Sequence, residues 1–268
     1  MAERIVLTGA SRGIGVAIAE GLAHRGAHII LTARSASKLE ETSRRVRAAG
    51  GTSEVVVADV ANGEDRARLV AHVLDGGAPT GLINNAGVEV PVAVVDQTEE
   101  QIEKQLLVNL HAPILLTRAL VPSMVEAGRG AVVMLSSMSG KSPTPYNAIY
   151  TATKFGLNGF TASLRVELED TGVHAGVVCP SFVADSGMWH DTGATAPAML
   201  QEVSLYDVVH GVMAVLDGKK SEVLVTTPLA RPLLALTQLF PSVDRKVLGA
   251  LGVLDTLKNR ATTGYEGH

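Results

Sequence analysis

Arg4-Ile5-Val6-Leu7-Thr8 runs directly into Gly9-Ala10-Ser11-Arg12-Gly13-Ile14-Gly15, and a helical pattern carrying Ala17, Ile18, Gly21 and Leu22 follows. The first five residues, aliphatic and β-branched, read as a short strand. A strand that ends in clustered glycines and opens into a helix suits a dinucleotide's pyrophosphate. The glycines permit a tight turn and close backbone approach, while the free N–H groups and positive end of the helix attract the anion. A glycine cluster alone marks only a turn; the strand before and the helix after make it a cofactor site. Gly9, Ser11, Arg12, Gly13, Ile14 and Gly15 are therefore candidate cofactor-binding residues.

Working outward, short β-branched runs alternate with longer amphipathic stretches. Strands are expected at Arg4 to Thr8, His28 to Thr32, Glu54 to Ala58, Leu82 to Asn84, Ala131 to Ser136, Ala175 to Cys179 and Glu222 to Val225. Helices are expected to start near Gly13, Ser37, Gly63, Thr98, Tyr150 and Ser204. Such alternation is the signature of βαβ units, and it predicts an α/β fold: one doubly wound Rossmann-type domain with a mainly seven-stranded parallel sheet, helices on both faces. This domain is expected to span residues 1–226. Residues 227–268, rich in leucine and broken by Pro228, Pro232 and Pro241, lie outside the repeating plan. They read as one or two amphipathic helices packed on the core or on a neighbouring subunit, or as a surface that rests on a membrane or closes over an apolar substrate.

Composition bounds the function. Of 268 residues, 46% are hydrophobic and 19% charged, with a net charge of −4, which fits a well-buried sheet. The arginines are scattered, so no nucleic-acid partner is expected. Cys179 is the single cysteine, so no internal disulfide can form and a reducing, cytoplasmic location is expected. The amino terminus reads as a strand, not a targeting peptide. No unbroken apolar run reaches the roughly 18 to 20 residues of a spanning helix. Eight histidines show no metal-ligand spacing, and no metal is expected.

The glycine spacing is Gly-x-x-x-Gly-x-Gly, different from the general Gly-x-Gly-x-x-Gly fingerprint. With Asp59-Val60, Asn84-Asn85-Ala86-Gly87 and Tyr150-x-x-x-Lys154, it resembles the short-chain dehydrogenase/reductase family. The resemblance implies that Asp59 and Val60 contact adenine, that Asn85, Ala86 and Gly87 line the cofactor, and that Tyr150 and Lys154 are catalytic and also touch the cofactor. It further implies catalytic Ser137, thirteen residues before Tyr150, and Asn109, which would hold a water linking Lys154 to solvent. Ser136 and Ser139 compete with Ser137, and only the thirteen-residue offset separates them. A homodimer or homotetramer, joined partly through the long helices around Leu106 and Leu157, is implied as well.

Cofactor choice is legible at the end of the second strand, where an acid would accept hydrogen bonds from the ribose hydroxyls of NAD. Thr32-Ala33-Arg34 stands there instead, and Arg34 with Arg12 suits a 2′-phosphate. NADP(H) is the expected cofactor, with NAD(H) possible. The chemistry also needs these residue types. A phenol that titrates near pH 10 exchanges protons poorly at neutral pH, and the ammonium of Lys154 together with a positive nicotinamide ring favours the phenolate. Ser137 and Tyr150 would bond the substrate oxygen where charge develops.

The family's Pro-Gly-x-Val-x-Thr appears here as Pro180-Ser181-Phe182-Val183-Ala184-Asp185. Pro180 and Val183 remain cofactor contacts by resemblance, while Asp185, with Ser186 next to it, stands where a threonine would hold the carboxamide. Residues 185–203 read as a lid that presents Met188, Trp189, Met199 and Leu200 to an apolar carbonyl or alcohol substrate. Two other readings stay open: a catalytically silent dinucleotide-binding regulator, and a membrane-surface reductase of lipid-like substrates making weak peripheral contact through its C-terminal tail.

Overall fold

A computed structural model describes residues 3–184, 188–193, 196–197, 200–228 and 230–262. The strands are β1 (Arg4–Thr8), β2 (His28–Ala33), β3 (Thr52–Val57), β4 (Gly81–Asn84), β5 (Gly130–Leu135), β6 (Val173–Pro180) and β7 (Glu222–Val225). They form one sheet in the order β3-β2-β1-β4-β5-β6-β7. Every pairing is parallel, with Ile5 beside Ile29 on one side and Gly81 on the other. The expected seven-stranded α/β architecture is therefore present.

Side-chain alternation explains how one sheet supports two cores. Val6, Ile30, Leu82 and Val132 point to one face, where Leu69, Leu116, Leu120 and Leu157 from α3 (Gly63–Asp75), α5 (Ala112–Glu126) and α6 (Ala148–Glu167) cover them. Ile5, Leu7, Ile29 and Leu31 point to the other, beneath Ile18, Leu39, Val208 and Val212 from α1 (Ile14–Ala23), α2 (Ala36–Ala48) and α7 (Leu205–Leu216). A sheet buried on both faces needs aliphatic residues at successive positions, which is why these strands read as continuous apolar runs. Gly81 and Gly130 begin β4 and β5 against their own propensity. At Gly81 a side chain would press on Ile5 and Leu216, so packing overrides local preference.

Helix α4 (Glu99–Leu106) starts in the capping box that Thr98 and Gln101 predict. It continues through a π turn at Leu107–His111 into α5. Pro113 follows this turn closely; it lacks the N–H that would bond a carbonyl of the preceding turn, which accounts for the π turn there. The stretch Glu99–Glu126 is long and apolar enough to cross a membrane by length and composition, although the sequence shows no unbroken apolar run. Its Leu116, Leu120 and Met124 are buried in the core.

Among the described residues the tail forms three α-helices, α8 (Ala230–Leu239), α9 (Asp244–Ala250) and α10 (Val253–Thr262), where one or two were expected. Leu248, Val253 and Leu257 form a third apolar cluster with Tyr146 and Leu200. The tail therefore packs over the carboxyl ends of the strands, the edge where ligands bind in open α/β sheets.

Candidate active site

One cavity of about 820 Å³ runs along that edge, from the glycine loop to the tail. Its cofactor end is built by backbone. Gly9 and Gly13 adopt positive φ (66° and 56°), a conformation in which an L side chain is strained. A Cβ at Gly15 would overlap the carbonyl oxygen of Gly9, and one at Gly9 would sit 2.8 Å from Ala86 Cα. Thr8 pins the loop: its Oγ1 accepts from the N–H groups of Asn85 and Ala86, both at 3.0 Å, and Asn85 Nδ2 donates to the carbonyls of Thr8 and Gly9 at 3.0 and 3.1 Å. Asp59, Val60, Asn85, Ala86 and Gly87 line the same cavity, as do Pro180 and Val183. Asp59 also shapes its own turn, with Oδ1 accepting from the Ala61 N–H at 2.9 Å.

At the end of β2, Arg34 lines the cavity together with Ser35 and Lys38, a lysine that the sequence motifs do not single out. Arg12 also lines the cavity, but its Nη1 donates to Asp191 at 2.8 Å. The glycine loop is thereby tied to the segment after β6.

The other end carries the titratable groups. Tyr150 and Lys154, one turn apart on α6, are 6% and 3% exposed. Lys154 Nζ donates to the Leu135 carbonyl at 2.7 Å and lies 5.3 Å from the Tyr150 ring centroid. Burial lowers the Lys154 ammonium to about 8. Burial pushes the Tyr150 phenol up, the Glu89 carboxylate pushes it further, and a hydrogen bond with Ser137 and the charge of Arg260 oppose them. In the protein alone, then, desolvation dominates, and the groups that oppose it are Ser137 and Arg260, not the Lys154 that the sequence argument invokes.

Geometry separates the three serines. Ser136 Oγ donates to the backbone of Lys154 at 3.2 Å, and Ser139 Oγ accepts from Thr144 at 2.9 Å. Ser137 Oγ accepts from the Ser139 N–H at 3.1 Å, and of the three it is the serine that favours the Tyr150 phenolate. Asn109, buried in the π turn, uses Oδ1 to accept from Val88 N–H and Nδ2 to donate to Val88 carbonyl, both at 2.8 Å, with Thr153 Oγ1 at 3.3 Å. A Cβ on Gly87 would be 3.5 Å from Asn109 Oδ1 and 3.9 Å from Lys154 Nζ, so both side chains face one point of backbone.

This arrangement of glycine loop, serine, tyrosine and lysine agrees with the family comparison: the family model for short chain dehydrogenases matches residues 3–197. The chain belongs to the short-chain dehydrogenase/reductase family. This short-chain dehydrogenase/reductase is 36% identical to the ketoacyl reductase HetN of Nostoc sp. over 98% of its own length and 95% of the relative's. Human dehydrogenase/reductase SDR family member 4 is 35% identical over 69% of this chain and 68% of that one. Among solved structures, the short-chain dehydrogenase from Sphingobium yanoikuyae in complex with NADPH superposes with a TM-score of 0.79 at 28% identity, covering 90% of this chain and 94% of that one. A metagenomic short-chain oxidoreductase in complex with NADP gives 0.71 at 35% identity, covering 83% and 96%. As a member of this family, the protein is a hydride-transfer oxidoreductase.

The short-chain dehydrogenase/reductase core gathers the described predicted residues around one cavity, except Asn109, which is fully buried and does not line it. Three further residues escaped sequence reading. Glu89 and Arg260, 171 positions apart, form a bidentate buried pair with both N–O distances at 2.7 Å, and Asn147 Nδ2 also donates to Glu89 Oε1. A lone acid between Val88 and Val90 was the single local signal. Asp185, Ser186 and Met199 lie outside the described residues. Met188, Trp189 and Leu200 of the expected lid do line the cavity.

Proposed function

We propose that the protein interconverts an apolar carbonyl compound and its alcohol with NADP(H), and that Tyr150 exchanges the oxygen-bound proton. The observation that carries this reading is the placement of Tyr150, Ser137 and Lys154 in the same cavity as the glycine loop and Arg34.

The cavity fits the cofactor on its own terms. The absence of Cβ atoms at Gly9 and Gly15 leaves backbone free to approach a pyrophosphate, and Arg34 with Lys38 supplies cations for a 2′-phosphate. The NADP and NADPH complexes of the two related structures support the same choice. When bound, NADP(H) supplies or receives the hydride. The chain's own groups do the rest. Ser137 and Tyr150 bond the substrate oxygen, Tyr150 gives it a proton in reduction and removes one in oxidation, and Lys154 holds positive charge beside the phenol. Asn109 fixes the Val88 backbone beside them.

Apolar selectivity follows from the tail. Leu234, Val247, Leu248, Leu251 and Leu257 line the cavity that also holds Tyr150, and such a lining rewards alkyl surface. The resemblance to a ketoacyl reductase makes 3-oxoacyl thioesters the first compounds to offer. NADPH oxidation on these and on plain ketones, with Tyr150→Phe alongside, tests the reading: turnover that Tyr150→Phe retains would overturn it.

A further inference from the structure

Glu89, Asn147 and Arg260 have no part in the reaction as described, yet they converge beside its proton donor. Glu89 follows Gly87 by two residues, Asn147 is the residue before α6, and Arg260 comes from α10. The Glu89 carboxylate receives both terminal nitrogens of Arg260 and the amide of Asn147. Glu89 and Arg260 are 6% and 5% exposed, and both line the cavity. The guanidinium lies 5.4 Å from the Trp189 ring, whose Nε1 donates to Glu202 at 2.9 Å.

A buried ion pair is a poor device for stability, because taking two charges out of water costs about as much as their attraction returns. Its place in the fold points to another use. Asn147 is three residues before Tyr150, and Tyr146, just ahead of it, sits at φ 61° with its side chain packed in the tail cluster of Leu248, Val253 and Leu257. A non-glycine residue held at positive φ needs such surroundings to keep it there. The tail thus packs on Tyr146 and reaches Asn147 through Glu89, the two residues that lead into the helix of Tyr150 and Lys154 being Tyr146 and Asn147.

We propose that Glu89, Asn147 and Arg260 are positioning residues that set the start of α6 and keep the charge beside Tyr150 balanced, making the C-terminal helix a working part of the proton-exchange site. This inference rests on the reading of Tyr150 as acid/base. The groups that act on the phenol are Lys154 on its own helix, 5.3 Å from the ring centroid, Ser137 after β5, Cys179 on β6, Glu89 after β4 and Arg260 on α10. The Cys179 thiol is pushed up to about 12 by burial and stays neutral at working pH. Glu89 and Arg260 are therefore the opposing charges that the tail can unbalance.

The test reads Tyr150 directly, without substrate. The near-ultraviolet phenolate signal of the full-length protein with NADP+ is titrated and corrected by the same protein carrying Tyr150→Phe. Arg260→Met leaves the carboxylate unopposed and moves the titration up by about one pH unit. Glu89→Gln leaves the guanidinium unopposed and moves it down, a shift that stands even if Arg260→Met fails to fold. Arg260→Lys keeps the charge and holds the titration near its original place, and combining Glu89→Gln with Arg260→Met brings it back. Unchanged titrations in the folded single variants, or shifts of one sign in both, would overturn the proposal. Lack of turnover on every carbonyl offered would sink the proposed activity and leave this titration readable.

Discussion

Lys154 Nζ stands 5.3 Å from the centroid of the Tyr150 ring while donating to the Leu135 carbonyl at 2.7 Å. The ammonium is thus held by the sheet and presented to the phenol by the helix. Removing the phenolic oxygen deletes the proton donor and keeps the ring. Tyr150→Phe is expected to lower kcat by at least about 10²-fold, the scale of one general acid, with NADPH affinity changed much less. Stopped-flow hydride transfer and cofactor fluorescence titration measure the two separately.

Burying that ammonium costs stability. Lys154 is lowered by desolvation to about 8 from an ordinary 10.5. Below pH 8 it is charged in both folded and unfolded chains, and the folded state bears the full penalty. Between 8 and 10.5 the folded form neutralises first, so stability rises with pH. Lys154→Met is expected to melt higher than the parent at pH 7, with a gap that closes as pH climbs through this window. Thermal unfolding at pH 7 and pH 9.5 checks it. A gap that widens with pH contradicts the assignment.

Cofactor preference is expected to sit on Arg34. Charge-assisted hydrogen bonds contribute about 1.5–3 kcal/mol each, so Arg34→Ala should weaken NADPH binding roughly 10- to 100-fold and leave NADH nearly untouched. Equal losses for both nucleotides would place Arg34 away from the 2′-phosphate.

The glycine loop tolerates no side chain at its closest approach. Gly15→Ala drives a methyl group into the Gly9 carbonyl and is expected to abolish binding of either nucleotide while the sheet still folds. Circular dichroism with isothermal titration distinguishes this from general unfolding.

The aliphatic end of the cavity predicts a dependence on chain length. Each methylene buried contributes about 0.8 kcal/mol, or roughly fourfold in kcat/KM. A homologous series of 2-alkanones or 3-oxoacyl thioesters should climb by about that factor until the cavity is full. A flat series would place the chain of the substrate outside the tail helices.

Local sequence determined the architecture and half of the site. Strand period, glycine spacing and the four-residue interval from Tyr150 to Lys154 are short-range properties, set within a turn or two of chain by sterics and hydrogen-bond geometry. They carried the seven strands, the glycine loop and the tyrosine–lysine pair. Tertiary structure decided what short-range rules cannot reach. The partners of the three serines are one example: Ser136 turns to the backbone of Lys154 and Ser139 to Thr144, while Ser137 acts on Tyr150 from another element. The packing of the tail over the cavity depends on which apolar surface remained uncovered, since hydrophobic burial has no direction of its own. The meeting of Glu89 with Arg260 across 171 residues depends on the chain closing on itself, because a buried charge becomes tolerable only when the fold delivers its partner.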